Sequence, residues 1–174
     1  MSKPEPQSEL DLVSLAEVIK ANADAVSADI LDRWDRIARN ESWHRLPQDL
    51  DHDHMPELIR ALAGAALGTE FDRSLCKRVV ELAARHGYHR AREGLDEALI
   101  YREYHLLRRA LWERLKAEHG ENATVYYAAM RIDTLISLST SASVHGWNRD
   151  ALSAAGRWPD ALEELLHGWP LPQS

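Results

Sequence analysis

Residues 79–112 read VVELAARHGYHRAREGLDEALIYREYHLLRRALW, and the spacing of apolar side chains on either side of Gly94 decides the fold class. Before the glycine, Leu75, Val79, Leu82, Ala83 and His86 fall on one stripe at three- and four-residue intervals. After it, Ile100, Tyr104, Leu107, Leu111 and Leu115 do the same, with Leu99, Glu103, Leu106 and Ala110 on a neighbouring stripe. That period belongs to an amphipathic helix, whereas a half-buried strand would alternate with period two. Two helices joined at a glycine follow. Folded back as an antiparallel hairpin, residues equally far from the turn face each other, which carries Arg85, His86 or Arg90 towards Glu103.

A carboxylate held among Leu99, Leu106 and Ala110 is costly unless it is paired and hydrogen-bonded, so Arg90 or His86 is expected as the partner of Glu103. Two readings stay open. In one, the pair only fixes the hairpin; in the other, the cluster His86, Arg90, Glu103, Tyr104 and Arg108 recognises a small anion or repacks on a change of protonation.

The helical period extends outward in both directions, with no segment of sustained alternation, so the chain reads as all-α, a single bundle of five to six helices. A first helix is expected from Ser8 or Asp11 to Arg39 through Leu12, Leu15, Val18, Ile19, Val26, Ile30, Trp34 and Ile37, with a kink or a break near Asn22 and Asp24. Residues 42–53 form a connector, because Leu46 precedes Pro47 and Asp49, Asp51 and Asp53 offer capping oxygens. A helix from His54 to Leu67 tolerates Pro56 in its first turn, and Gly68 ends it. Thr69 caps the helix that runs to Gly94. The next spans Asp96 to His119. Asn122 or Thr124 then starts a last long helix through Tyr126, Met130, Leu135, Leu138 and Val144. The small residues between Ser137 and Ser143 suit a tight helix crossing or a subunit contact. The domain plan is a disordered segment 1–8, a helical regulatory unit 9–150, and a tail 151–174 holding a short amphipathic helix from Trp158 to Leu166. Trp158, Leu162, Leu165 and Trp169 give that tail an apolar edge, which docks on its own bundle or on a partner.

Composition narrows the function. At 174 residues the chain can bury one good-sized core, and 45% hydrophobic with 28% charged residues is ordinary for a globular protein. A net charge of -7 disfavours phosphate neutralisation, and the arginines between Arg85 and Arg114 are interleaved with acids, as on a solvated, salt-bridged face. No nucleic-acid or membrane partner is expected, since no apolar run is long enough to span a bilayer. Cys76 is the single cysteine, which excludes an intrachain disulfide and suits a cytoplasmic protein. The nine histidines are scattered. His86 and His89, His52 and His54, and the Glu-x-x-His strings at Glu41 and Glu164 make no closed metal site, so neither metal nor cofactor is expected. No nucleophile elbow, phosphate loop, dinucleotide fingerprint or zinc-protease helix occurs, and no catalytic residue is assigned.

Three stretches carry a resemblance: ILDRWDRI at 30–37, DHMPELIRAL at 53–62 and HGYHRAREGLDEALIYREYHLLRRAL at 86–111. In order and spacing they resemble the N-terminal domain of RsbRD-type RsbT co-antagonists, at positions that include Trp34, Asp53, His54, Pro56, His86, Arg90, Gly94, Glu103, Tyr104 and Arg108. The resemblance implies a sensory or regulatory module of the kind placed ahead of STAS domains in stressosome proteins or ahead of histidine-kinase regions, and by analogy a globin-like arrangement without haem. With no room for an output module after the last helix, it further implies action through a signalling protein in another chain, as a homodimer. The alternatives are a small-ligand or haem-binding globin-like sensor, which would need a pocket against His86, Tyr104 and Glu103, and a structural dimerisation domain.

Overall fold

The computed structural model describes residues 8–29, 32, 54–67 and 73–169. Among these the chain is helical and no strand occurs: α1 is Ser8–Ala21, α2 His54–Ala66, α3 Arg73–Arg92, α4 Glu97–His119, α5 Ala123–Trp147, α6 Arg149–Ala154 and α7 Trp158–Gly168. Residues 23–29 form a further helical stretch. The count exceeds the expected five to six for two local reasons.

The first is Asn22, where the helix breaks instead of bending. Its side-chain amide donates to the Val18 carbonyl at 2.8 Å, and its backbone N–H is shared between Val18 and Ile19, so the side chain competes for the carbonyls the helix needs. The second is Gly156, with φ 68, which closes the unexpected short helix α6: the N–H groups of Gly156 and Arg157 reach the carbonyls of Ser153 and Leu152. Ile30, Trp34, Ile37, the connector, Gly68 and Thr69 lie outside the described residues.

Elsewhere the start and stop signals act where the sequence places them. Asp96 accepts from Ala98 N–H to start α4, and Asn122 accepts from Val125 N–H to start α5. Gly94, at φ 74, ends α3 with the paired bonds Gly94 N–H to Ala91 and Leu95 N–H to Arg90, a conformation a side chain would strain.

α5 is the axis of the bundle. It packs on α3 most extensively, and on α4, α2, α7 and α1 as well, while α3 lies only lightly against α4. The hairpin around Gly94 is therefore splayed, and α5 fills the space between its arms. The reason is the α3/α5 crossing, where a Cβ on Gly87 would stand 1.8 Å from the Ser143 carbonyl oxygen and one on Gly146 1.8 Å from that of Ala84. Two glycines in helix interiors let the backbones touch, at a cost in helix propensity of about 0.5–1 kcal/mol each. Ser139 and Ser143 are buried here, so the small-residue run serves a tight crossing.

Two expectations about inward faces are corrected. Leu75 is 41% exposed and its neighbour Cys76 takes the buried position, because the stripe of α3 passes through Cys76, Val79, Val80 and Ala83. On α5, Tyr126 and Met130 point outward, and Val125, Ala128, Ile132 and Leu135 form the inner face. Tyr101 and Tyr127 are exposed too, whereas Tyr104 is buried. The edge of α7 lies on its own bundle: Leu162, Leu165 and Trp169 pack against the core, Leu166 is buried, and Lys77 of α3 bridges to Glu163 at 2.5 Å. Trp158 is half-buried under the Arg149 guanidinium, which also covers Tyr88. No helix among the described residues is long and apolar enough to cross a membrane.

Candidate functional site

Four of the five residues in the expected cluster meet at one junction. His86 and Arg90 are one turn apart on α3 and share a face, and Glu103 and Tyr104 follow two turns into α4. Arg90 grips Glu103 with two nitrogens, Nη2 to Oε1 at 2.6 Å and Nε to Oε2 at 3.2 Å, while its Nη1 reaches Glu93 at 3.0 Å. His86 Nε2 lies 2.9 Å from Glu103 Oε2. An ionised carboxylate only accepts, so that imidazole nitrogen is the donor.

Burial alone would push the Glu103 carboxyl up, but His86 and then Arg90 outweigh it and hold the group well below the usual carboxylate range. Burial likewise opposes the Arg90 charge, and Glu103 and Glu93 more than restore it. The result is a desolvated pair in which both carboxylate oxygens are hydrogen-bonded, the condition under which a buried ion pair is tolerated.

Beside it runs a second polar chain. The Ser143 hydroxyl donates to the Ala83 carbonyl at 2.6 Å, so the Tyr104 hydroxyl, 2.8 Å away, donates to Ser143. Burial raises the Tyr104 hydroxyl's pKa, keeping it a neutral donor. The two chains together tie α3 to α4 and both to α5. Every functional atom of His86 Nε2, Arg90, Glu103 and Tyr104 named here is engaged by another side chain or a carbonyl.

Arg108 stands apart. One turn beyond Tyr104, it follows the same α4 stripe along α5 and pairs there with Asp133 through Nε, with Nη2 3.4 Å from Ser137. Arg108 lines a groove of about 760 Å³ between α4 and α5, walled also by His105, Arg109, Trp112, Tyr126 and Met130 and floored by Leu111, Leu115 and Ile132. His86, Glu103 and Tyr104 do not line it. The chemistry-bearing cluster and the cavity are thus different places.

Sequence reasoning missed Glu93, Asp133 and the glycine pair, and it placed Ser143 in a tight crossing without its hydrogen bonds to Tyr104 and Ala83. A mid-helix glycine with no turn to explain it was the available signal for Gly87 and Gly146. Among the described residues no three His, Cys, Asp or Glu side chains are grouped to hold a metal ion. The His54 and His89 rings lie tilted against each other at 4.4 Å between centres, and the exposed His167 has its Nδ1 2.8 Å from the Glu163 carbonyl oxygen.

Comparison with family models gives a match over most of the chain. The family model described as the RsbT co-antagonist protein rsbRD N-terminal domain covers residues 24–161, which include the whole junction and the whole groove. No curated protein and no solved structure matches the chain.

Proposed function

Because the chain belongs to the RsbT co-antagonist rsbRD N-terminal domain family, whose members are regulatory sensory domains of stress signalling, we propose that it regulates by binding a signalling protein carried on another chain. It does so in the cytoplasm and without catalysis of its own. The observation that supports this reading is the division between the two sites: the ionisable cluster is spent on holding α3, α4 and α5 together, whereas the outward-facing apolar and arginine side chains gather along α4 and α5. Buried, mutually satisfied groups offer a substrate nothing to react with, and aromatic, methionine and arginine side chains at a surface are the material of protein contacts.

The experiment is in-cell crosslinking in the native host, with the chain at its natural abundance, followed by identification of crosslinked peptides. The expected result is a crosslink to one signalling protein, lost together with the host's stress response when the chain is deleted. A chain recovered uncrosslinked, whose deletion leaves that response unchanged, would overturn the reading.

A further inference from the structure

The segment after α5 is loosely built into the bundle. α6 has no buried residue, and residues 153–157, which include the turn at Gly156, are all exposed. α7 follows with 11 residues, too few to hold a helix in water unaided, so its helicity depends on its place against α3 and α5. Along α7 and its cap, Ala161 and Leu166 are buried, while Leu162, Leu165 and Trp169 lie on the core only partly covered. The polar ties are at the surface. Lys77 and Glu163 are both about half exposed where they pair, and the Arg149 guanidinium lies over Tyr88 and Trp158. Ties of that kind add little in water. A unit with few buried contacts and an exposed connection opens before the rest of a fold.

The surface under α7 belongs to the family's domain, whereas most of the cover does not. The matched residues end at 161, so α3 and α5 fall inside the match and Leu162, Leu165, Leu166 and Trp169 outside it. Those four are spaced i, i+3, i+4 and i+7, the anchor pattern of an amphipathic helix laid in a groove. Glu163, one position after the first anchor, meets Lys77 of α3. The chemistry that this surface accepts is therefore written in α7 itself: a helix with four large apolar anchors and a carboxylate at its flank for the lysine.

We propose that α7 is a displaceable cover, and that the surface of α3 and α5 beneath it receives an amphipathic, acidic helix of the signalling protein, which takes the place of α7. The proposal rests on the reading that such a partner exists, and it names the partner's chemistry and its seat. Its test needs only this chain and a peptide. A cover that stays shut would overturn it and leave crosslinking in the host to decide the wider reading.

The probe is a fluorescein-labelled peptide of residues 157–169, and its anisotropy reads binding to the full chain. Leu166→Asp removes the buried anchor of the cover, so that variant should bind the peptide at least about 10-fold more tightly than the parent, whose own α7 competes from the same chain. A Glu163→Lys peptide should bind the variant more weakly and recover when Lys77→Glu is added to the chain. In the parent, hydrogen exchange should open residues 158–168 as one unit, at least about tenfold less protected than α3 and α5. An α7 as protected as those helices, a Leu166→Asp chain that loses the helicity of the whole bundle, or a folded variant that ignores the peptide would each overturn the proposal. A heterodimer of variant and parent chains in sedimentation equilibrium would give the seat to a second copy and overturn it too.

Discussion

Replacing Gly87 by alanine sets two effects against each other whose sizes differ enough to decide the sign. In an isolated helix the change is favourable by about 0.5–1 kcal/mol, because glycine loses more backbone entropy on folding. In this bundle the new Cβ would meet the Ser143 backbone: a gap of 1.8 Å to the carbonyl oxygen must open to about 3.4 Å for ordinary contact. Nothing there is a flexible side-chain end, so α3 and α5 must part, stretching the Ser143 bond to Ala83 and the Tyr104 bond to Ser143. Overpacking a tight core costs about 1–3 kcal/mol, and loss of a buried hydrogen bond about 1 kcal/mol more. The net is a loss of roughly 1–3.5 kcal/mol, or about 2–14 °C in Tm for a chain of this size. Gly64→Ala is the internal control, since its Cβ would meet only Lys20 Cε at 3.8 Å, an ordinary contact, and it should leave Tm unchanged or raise it. Thermal unfolding followed by circular dichroism at 222 nm reads both. A Gly87→Ala chain that melts at or above the parent, or a Gly64→Ala chain that falls as far, would refute the crossing as the reason for the glycine.

Glu103→Gln keeps the shape but leaves Arg90 buried without its counter-charge, so it should cost roughly 3–5 kcal/mol by chemical denaturation; a loss under about 1 kcal/mol would mean that water reaches the pair. The same carboxyl sets a pH dependence. Its folded pKa lies below the ordinary 4.5, so its contribution is fully present above that value and is lost as pH falls from about 4.5 towards the lower folded value. Parent stability should therefore drop through that acid window, and the Glu103→Gln chain should drop less steeply, which denaturant midpoints across pH would show.

Much of the fold was legible because its signals are local. Asp96 and Asn122 are acceptors just ahead of apolar stripes, Gly94 and Gly120 are helix stops, and each acts through its immediate neighbours. The junction was legible for a similar reason: a stripe that buries Glu103 demands a cation, and the glycine turn leaves few within reach. What could not be read depends on which helix lies across which. Arg108 shares a face with Tyr104, yet that face runs along α5, where Asp133 claims the arginine. Gly87 and Gly146 look like weak points until the facing backbone is known. The outward turn of Tyr126 and Met130 was hidden because every position of α5 from Tyr126 to Met130 is apolar in character, and period alone cannot choose the face. Asn22 left kink and break undecided because both begin with the same side-chain capture of a carbonyl.

The central claim is that the buried cluster holds the bundle together and that regulation is exerted elsewhere, at its surface. Its most direct test is a carbon-13 NMR titration of the Glu103 side-chain carboxyl in the folded protein. The account predicts a carboxylate signal that stays ionised from neutral pH down to the onset of acid unfolding. A reversible titration of that carboxyl between pH 5 and 8, with the fold intact, would contradict it and make the junction the sensing element.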